Sequence, residues 1–77
     1  MSTHIELKLF ANLSKYSPRE GDRLAIRPGQ TVGEIVEAIG MPADKAKLIF
    51  INGLKGTLDT PLHGGERVGL FPPVAGG

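Results

Sequence analysis

One segment, Thr31 to Gly40, carries the chain's clearest helical signal, and the apolar runs around it have the two-residue period of strands. Val32, Ile35, Val36 and Ile39 recur at helical spacing and make one apolar stripe, while Glu34 and Glu37 face water. Thr31 followed by Glu34 fits a capping box, in which each side chain satisfies a backbone N–H that the first turn leaves unpaired. Glu34 also sits near the positive end of the helix dipole. Gly40 is a good C-terminal stop, and Pro42 prevents continuation. A single short helix can cover one face of a sheet and no more.

The strands are read from alternation. In residues 4–10, Ile5, Leu7 and Leu9 fall on one face and His4, Glu6 and Lys8 on the other, with Phe10 anomalously on the polar side. Residues 11–21 hold Asn, Ser, Pro and Gly and read as a loop with room for one helical turn. Residues 23–27 alternate again, with Leu24 and Ile26 inward, and Pro28-Gly29 stops them. These two strands are expected to pair antiparallel. Leu48-Ile49-Phe50-Ile51 is apolar on both faces, which predicts a central strand covered by the helix on one side. Asn52-Gly53 is a strong turn signal, and Leu54-Lys55-Gly56 reads as a short edge segment returning from it. Residues 57–62 are expected to form a turn with one helical twist, and residues 63–66 another turn. Residues 67–71 make the last strand, with Val68 and Leu70 inward.

The order β-β-α-β-(short β)-β predicts an α+β fold: a mixed sheet of 4–5 strands with one main helix packed across one face, the β-grasp or ubiquitin-like arrangement. At 77 residues the chain makes one domain, residues 1–71, followed by an extended tail, residues 72–77. A chain of this length buries only about 60% of its unfolded surface, leaving little room for an enclosed pocket beside the core. The formal net charge is +1 and the aromatics are three Phe and one Tyr, which disfavours a nucleic-acid binder. With no cysteine, a disulfide framework, a thiolate metal site and a cysteine nucleophile are excluded. Absence of Cys suits a reducing cytoplasm. The N-terminus leads into alternation rather than a signal-peptide core, and no apolar run approaches the roughly 20 residues of a membrane span.

The tail needs its own explanation, because it adds nothing to a core. Pro72-Pro73 favours a stiff extended conformation, and the six residues after Phe71 project the terminus by roughly 18–20 Å. Ala75-Gly76-Gly77 has almost no side-chain bulk, so it fits a narrow channel and takes whatever dihedrals that channel demands. The two prolines lower the entropy cost of ordering it. What the tail delivers is the α-carboxylate of Gly77, inert until activated, for example as an acyl adenylate. A terminal Gly-Gly is often a disordered end. Here a Pro-Pro stem and a β-grasp order precede it, which favours a carrier: scaffold, stiff arm, slender tip and activatable acid.

The end Leu70-Phe71-Pro72-Pro73-Val74-Ala75-Gly76-Gly77 resembles that of the MoaD/ThiS-like sulfur-carrier family, closest to MoaD, the small subunit of molybdopterin synthase. The resemblance extends through Thr31-Val32-Gly33-Glu34, Asn52-Gly53, Leu58-Asp59-Thr60-Pro61-Leu62 and Gly65-Glu66-Arg67-Val68, essentially the whole chain. It implies that an E1-like adenylyltransferase of the MoeB/ThiF type adenylates Gly77 with ATP, and that a sulfur donor protein converts the adenylate to a thiocarboxylate. A MoaE-like large subunit then takes the sulfur for molybdopterin or the related tungsten cofactor. It also implies a carrier that is not itself an enzyme and holds no permanent cofactor, with Gly77 as the sulfur-carrying residue and Gly76 as the clearance behind it. A ThiS-type carrier for thiazole synthesis and a ubiquitin-like protein modifier are the alternatives.

Alternation puts Phe71 opposite Val68 and Leu70, on the face away from the helix, and puts Phe10 there too, with Phe50 or Ile51 as a third member. An apolar patch on the open face of a β-grasp sheet suits partner binding, although two Phe could simply cover a sheet edge. With the stem residues Pro72, Pro73, Val74 and Ala75, Phe10 and Phe71 are the expected partner-binding residues. His4 and His63 have no acid or nucleophile at motif spacing, and Ser14, Ser17 and Thr57 lack a base. No catalytic or metal-ligating set is expected within the chain.

Overall fold

The capping box closes as the sequence predicts: the Thr31 hydroxyl accepts from the Glu34 N–H at 3.2 Å and the Glu34 carboxylate from the Thr31 N–H at 2.9 Å. The computed structural model describes residues 3–19 and 21–73, residue 22 by its backbone alone. Its elements are β1 Thr3–Leu9, β2 Leu24–Ile26, β3 Gln30–Thr31, α1 Val32–Ala38, β4 Leu48–Ile51, β5 Leu54–Lys55, β6 Pro61–Leu62 and β7 Arg67–Phe71. Three 3-10 turns, Ala11–Tyr16, Gly21–Arg23 and Ala43–Lys45, lie between them.

The main sheet has the order β2-β1-β7-β4-β5. The first and last strands, β1 and β7, run parallel side by side, and the other pairs are antiparallel. Helix α1 covers one face, burying Val32, Ile35 and Val36 against Ile5, Leu7, Ile49, Val68 and Leu70. Each such side chain contributes about 1.5–3 kcal/mol relative to exposure. This is the β-grasp arrangement.

Helix α1 ends in a Schellman motif. Gly40 takes φ +80°, its N–H bonds the Glu37 carbonyl, and the Met41 N–H reaches back to the Val36 carbonyl. The motif turns Met41 inward, where it is buried although the sequence places it outside any element. The hairpin of β4 and β5 turns through Asn52 at φ +54° and Gly53 at φ +81°, the type I′ geometry whose twist suits a two-residue turn.

Leu48–Ile51 is an interior strand as expected, paired with β7 on one side and the two-residue β5 on the other, while β7 holds the middle of the sheet. Strand β4 is apolar on both faces because Ile49 enters the core while Phe50 joins an aromatic group on the open face. One expectation is corrected: residues 57–62 hold no helical twist. A turn at residues 58–59 leads into β6, which pairs with β3 to form a second, two-stranded sheet. The carbonyls of Leu58 and Thr60 thereby accept from Gly33 and Val32, first-turn N–H groups of α1 that have no partner within the helix.

Candidate docking face and tail stem

The side of the sheet away from α1 is uncovered. Strand alternation and the pairing register place Glu6 and Lys8 of β1, Arg67, Gly69 and Phe71 of β7, Leu48 and Phe50 of β4 and Lys55 of β5 on it. Phe10, just past β1, lies over the same face. Its ring stacks on Phe71 with centroids 4.3 Å apart and planes within 1°, and Phe50 meets Phe71 edge-on at 5.7 Å and 90°. Each contact contributes about 0.5–1.5 kcal/mol beyond area burial. The group nevertheless remains accessible: Phe10 is 39% exposed, and Phe50 and Phe71 are half-buried. Phe50, not Ile51, is therefore the third aromatic-patch residue, and Ile51 packs against the core instead.

Gly69 forms the floor. A Cβ built there would lie 3.3 Å from the Phe10 ring and 3.7 Å from that of Phe71. The missing side chain lets the rings lie down over the strand and leaves a shallow depression of about 310 Å³ among Phe10, Phe50, Gly69 and Phe71, with Lys8 and Arg67 on its rim. Glu6 lies between these cations, 3.9 Å from Lys8 and 3.8 Å from Arg67. Alternation reveals Phe10 and Phe71. The parts played by Gly69, Leu48 and the two cations depend on register, which no local sequence signal specifies here.

The stem leaves from this patch. Phe71 closes β7, and its carbonyl accepts the last sheet hydrogen bond, from the Lys47 N–H at 3.0 Å. Since β1 and β7 are parallel, Phe71 ends beside Phe10, whose N–H bonds the Leu70 carbonyl. Pro72 is half-buried and Pro73 exposed, both beyond the strand. Val74, Ala75, Gly76 and Gly77 lie outside the described residues.

At the opposite end of the sheet is a wider, open hollow of about 560 Å³ lined by His4, Glu6, Asn52, Glu66 and Arg67. Its size does not make it the better candidate, because its polar groups are engaged in tying two turns to the ends of β1 and β7. The Gly65 N–H bonds the His4 carbonyl, and Asn52 Oδ1 accepts from the Arg67 N–H. Glu66 is such a staple: its carboxylate accepts from the N–H groups of His63 at 2.8 Å and Gly64 at 2.7 Å. Burial pushes its pKa up, but these donors outweigh burial and hold it below the ordinary carboxylate value. Among the described residues, no group of three or more His, Asp and Glu could hold a metal ion, and no helix is long and apolar enough to cross a membrane.

Compared with known proteins, residues 2–75 match the family described as Mut7-C ubiquitin. No curated protein matches the chain. The crystal structure of H. volcanii small archaeal modifier protein 1 is similar at 27% identity and a TM-score of 0.67, over 94% of this chain and 99% of that one. A crystal structure of SAMP1 from Haloferax volcanii gives 28% identity and a TM-score of 0.65, over 95% and 98%. The solution structure of the Haloferax volcanii HVO 2177 protein shares the fold, with a TM-score of 0.72 at 23% identity over 99% and 88%.

Proposed function

The chain belongs to the Mut7-C ubiquitin family, and from that premise we propose that it is a sulfur carrier whose Gly77 carboxylate is activated and converted to a thiocarboxylate by partner proteins. One observation supports this most: the Pro72-Pro73 stem springs from the central strand at the edge of an open aromatic patch. A partner gripping Phe10, Phe50 and Phe71 thereby holds the base of an arm whose reach is limited to a few residues.

The chemistry is acyl activation. An oxygen of the Gly77 carboxylate attacks the α-phosphorus of ATP, pyrophosphate leaves, and a mixed anhydride forms. A hydrosulfide-level sulfur nucleophile attacks its carbonyl carbon, AMP leaves with the C–O electron pair, and the product is a thiocarboxylate. ATP binding, activation and sulfur supply belong to an E1-like adenylyltransferase of the MoeB/ThiF type and to a sulfur donor protein. The tail's slenderness permits entry, and the patch fixes the body while it happens. We assign the sulfur to molybdopterin or tungsten-pterin synthesis in the cytoplasm, with this chain as the non-catalytic small subunit beside a MoaE-like large subunit. The basis is the likeness of the Phe-Pro-Pro-Val-Ala-Gly-Gly end to MoaD; a ThiS-type role in thiazole synthesis would use the same activated group.

A second reading is supported by the two crystal structures of small archaeal modifier proteins at 27% and 28% identity. In it the same adenylate is attacked by a lysine amine of another protein, AMP leaves, and an isopeptide bond remains. One experiment separates the readings. The chain is incubated with ATP, an E1-like adenylyltransferase and sulfide, and its intact mass is taken. Exchange of one oxygen for sulfur supports the carrier; thiol-resistant conjugates in cell extract without thiocarboxylate support the modifier. No adenylate with any cognate activator would sink both.

A further inference from the structure

The open face carries an aromatic group bordered by cations. Beside the stem lie Phe10, Phe50 and Phe71 around the bare floor at Gly69. Lys8 and Lys55 lie at the two ends of the row that holds Gly69 and Phe50, and Arg67 lies one row farther from the stem, all exposed, against the single carboxylate of Glu6. The whole chain has a formal net charge of +1. Three cations facing one carboxylate exceed that total, so the chain's positive surplus is gathered on this face.

Building on the carrier reading above, we propose that this face receives an acidic segment of the activating partner. One apolar side chain of that segment rests in the depression bordered by Phe10, Phe50, Gly69 and Phe71, and flanking carboxylates reach Lys8 and Arg67. The depression of about 310 Å³ argues for an inserted side chain, and the Phe10 and Phe71 rings, 3.3 and 3.7 Å from a Cβ position at Gly69, are the apolar wall it rests against. The rim argues for acidic flanks, since Lys8 and Arg67 share one carboxylate at the long distances of 3.9 and 3.8 Å and keep 56% and 76% of their side chains exposed. Charge also tells against two other occupants. A second copy would bring a like-charged face to this one. A single-stranded nucleic acid would need free ring faces, whereas Phe10 and Phe71 stack on each other, and Glu6 would repel its phosphates.

The test titrates the full ¹⁵N-labelled chain with synthetic peptides, followed by amide shifts. One peptide carries a leucine flanked by aspartates, the second the same leucine flanked by lysines, and an oligouridylate is the third ligand. The acidic peptide should shift Lys8, Gly69 and Phe71 and bind about threefold or more weakly at high salt, as exposed charges do when screened. The double variant Lys8→Glu with Arg67→Glu should weaken it about fivefold to thirtyfold and improve the lysine peptide. Gly69→Ala should weaken both peptides while leaving the remaining spectrum dispersed. Equal binding of the two peptides, shifts confined to another face, tighter binding of the oligouridylate, or self-association through this face would each overturn the proposal. None of these readings needs an activated Gly77, so failure here and failure of the thiocarboxylate assay remain distinguishable.

Discussion

Leu70 and Phe71 are neighbours in one strand with opposite duties, and truncating each in turn separates fold from docking. Leu70 is fully buried under α1. Leu70→Ala removes its transfer energy and leaves a cavity, a loss of about 2–5 kcal/mol. A domain of this length has roughly 4–12 kcal/mol in total, so this variant sits near the edge of folding. Phe71 faces the other way, half-buried, and its folded-state contacts are one stacked and one edge-on ring. Its two ring pairs contribute about 1–3 kcal/mol beyond area burial, and truncating a half-exposed ring leaves no enclosed cavity, so Phe71→Ala costs less than Leu70→Ala and the domain stays folded. If the patch is the docking face, Phe71 is an anchor, and its loss should weaken binding to the activating enzyme by about 2 kcal/mol, near thirtyfold. Urea denaturation gives the stability of each variant, and ATP–pyrophosphate exchange with the E1-like enzyme gives the apparent affinity. The reasoning fails if Phe71→Ala unfolds the chain, or if it folds and is activated like the unaltered protein.

Removing Gly77, or adding a residue after it, should abolish thiocarboxylate formation with the melting temperature unchanged; sulfur transfer by either variant would refute the assignment of the terminus. Glu66→Gln should destabilise the domain by about 1 kcal/mol at neutral pH, an amount already reduced for solvent screening. Because the folded-state pKa of Glu66 lies below its ordinary value, that stabilisation is present above the unfolded pKa and fades as pH falls through the folded one. Urea midpoints of the two proteins should thus converge in acid, and a constant gap would contradict the stapling role. Thr31→Ala breaks the capping box and should cost about 1 kcal/mol in thermal melts followed by circular dichroism, with an unchanged melt counting against it.

The elements were legible in the chain where a local rule sufficed. Thr31 with Glu34 marks the start of α1, Gly40 its end, Asn52-Gly53 the hairpin, and the alternation of Ile5, Leu7 and Leu9 the buried side of β1. What depended on distant partners was not legible. The helical turn allowed for in residues 11–21 forms at Ala11–Tyr16, but the burial of Leu13 within it was not legible, because Leu13 lies outside any periodic run. Strand β6 has two residues, one of them Pro61, and exists because β3 lies beside it. The two-faced apolarity of β4 marks an interior strand, but not that one of its faces is covered by aromatic rings rather than by the helix.

The candidate docking face was half legible for the same reason. Alternation alone puts Phe10 and Phe71 on the open side, but Phe10 lies some sixty positions before its stacking partner, and only the parallel pairing of Leu9 with Leu70 brings the rings together. That pairing also makes Gly69 a floor, by setting it between Lys8 and Phe50. Phe71 thus ends the strand that anchors the core, completes the aromatic patch and begins the stem. A partner cannot hold the patch without fixing the base of the tail, and a substitution that tilts β7 would misdirect both. The direction in which the stem leaves the sheet is therefore set by the core, through Leu70.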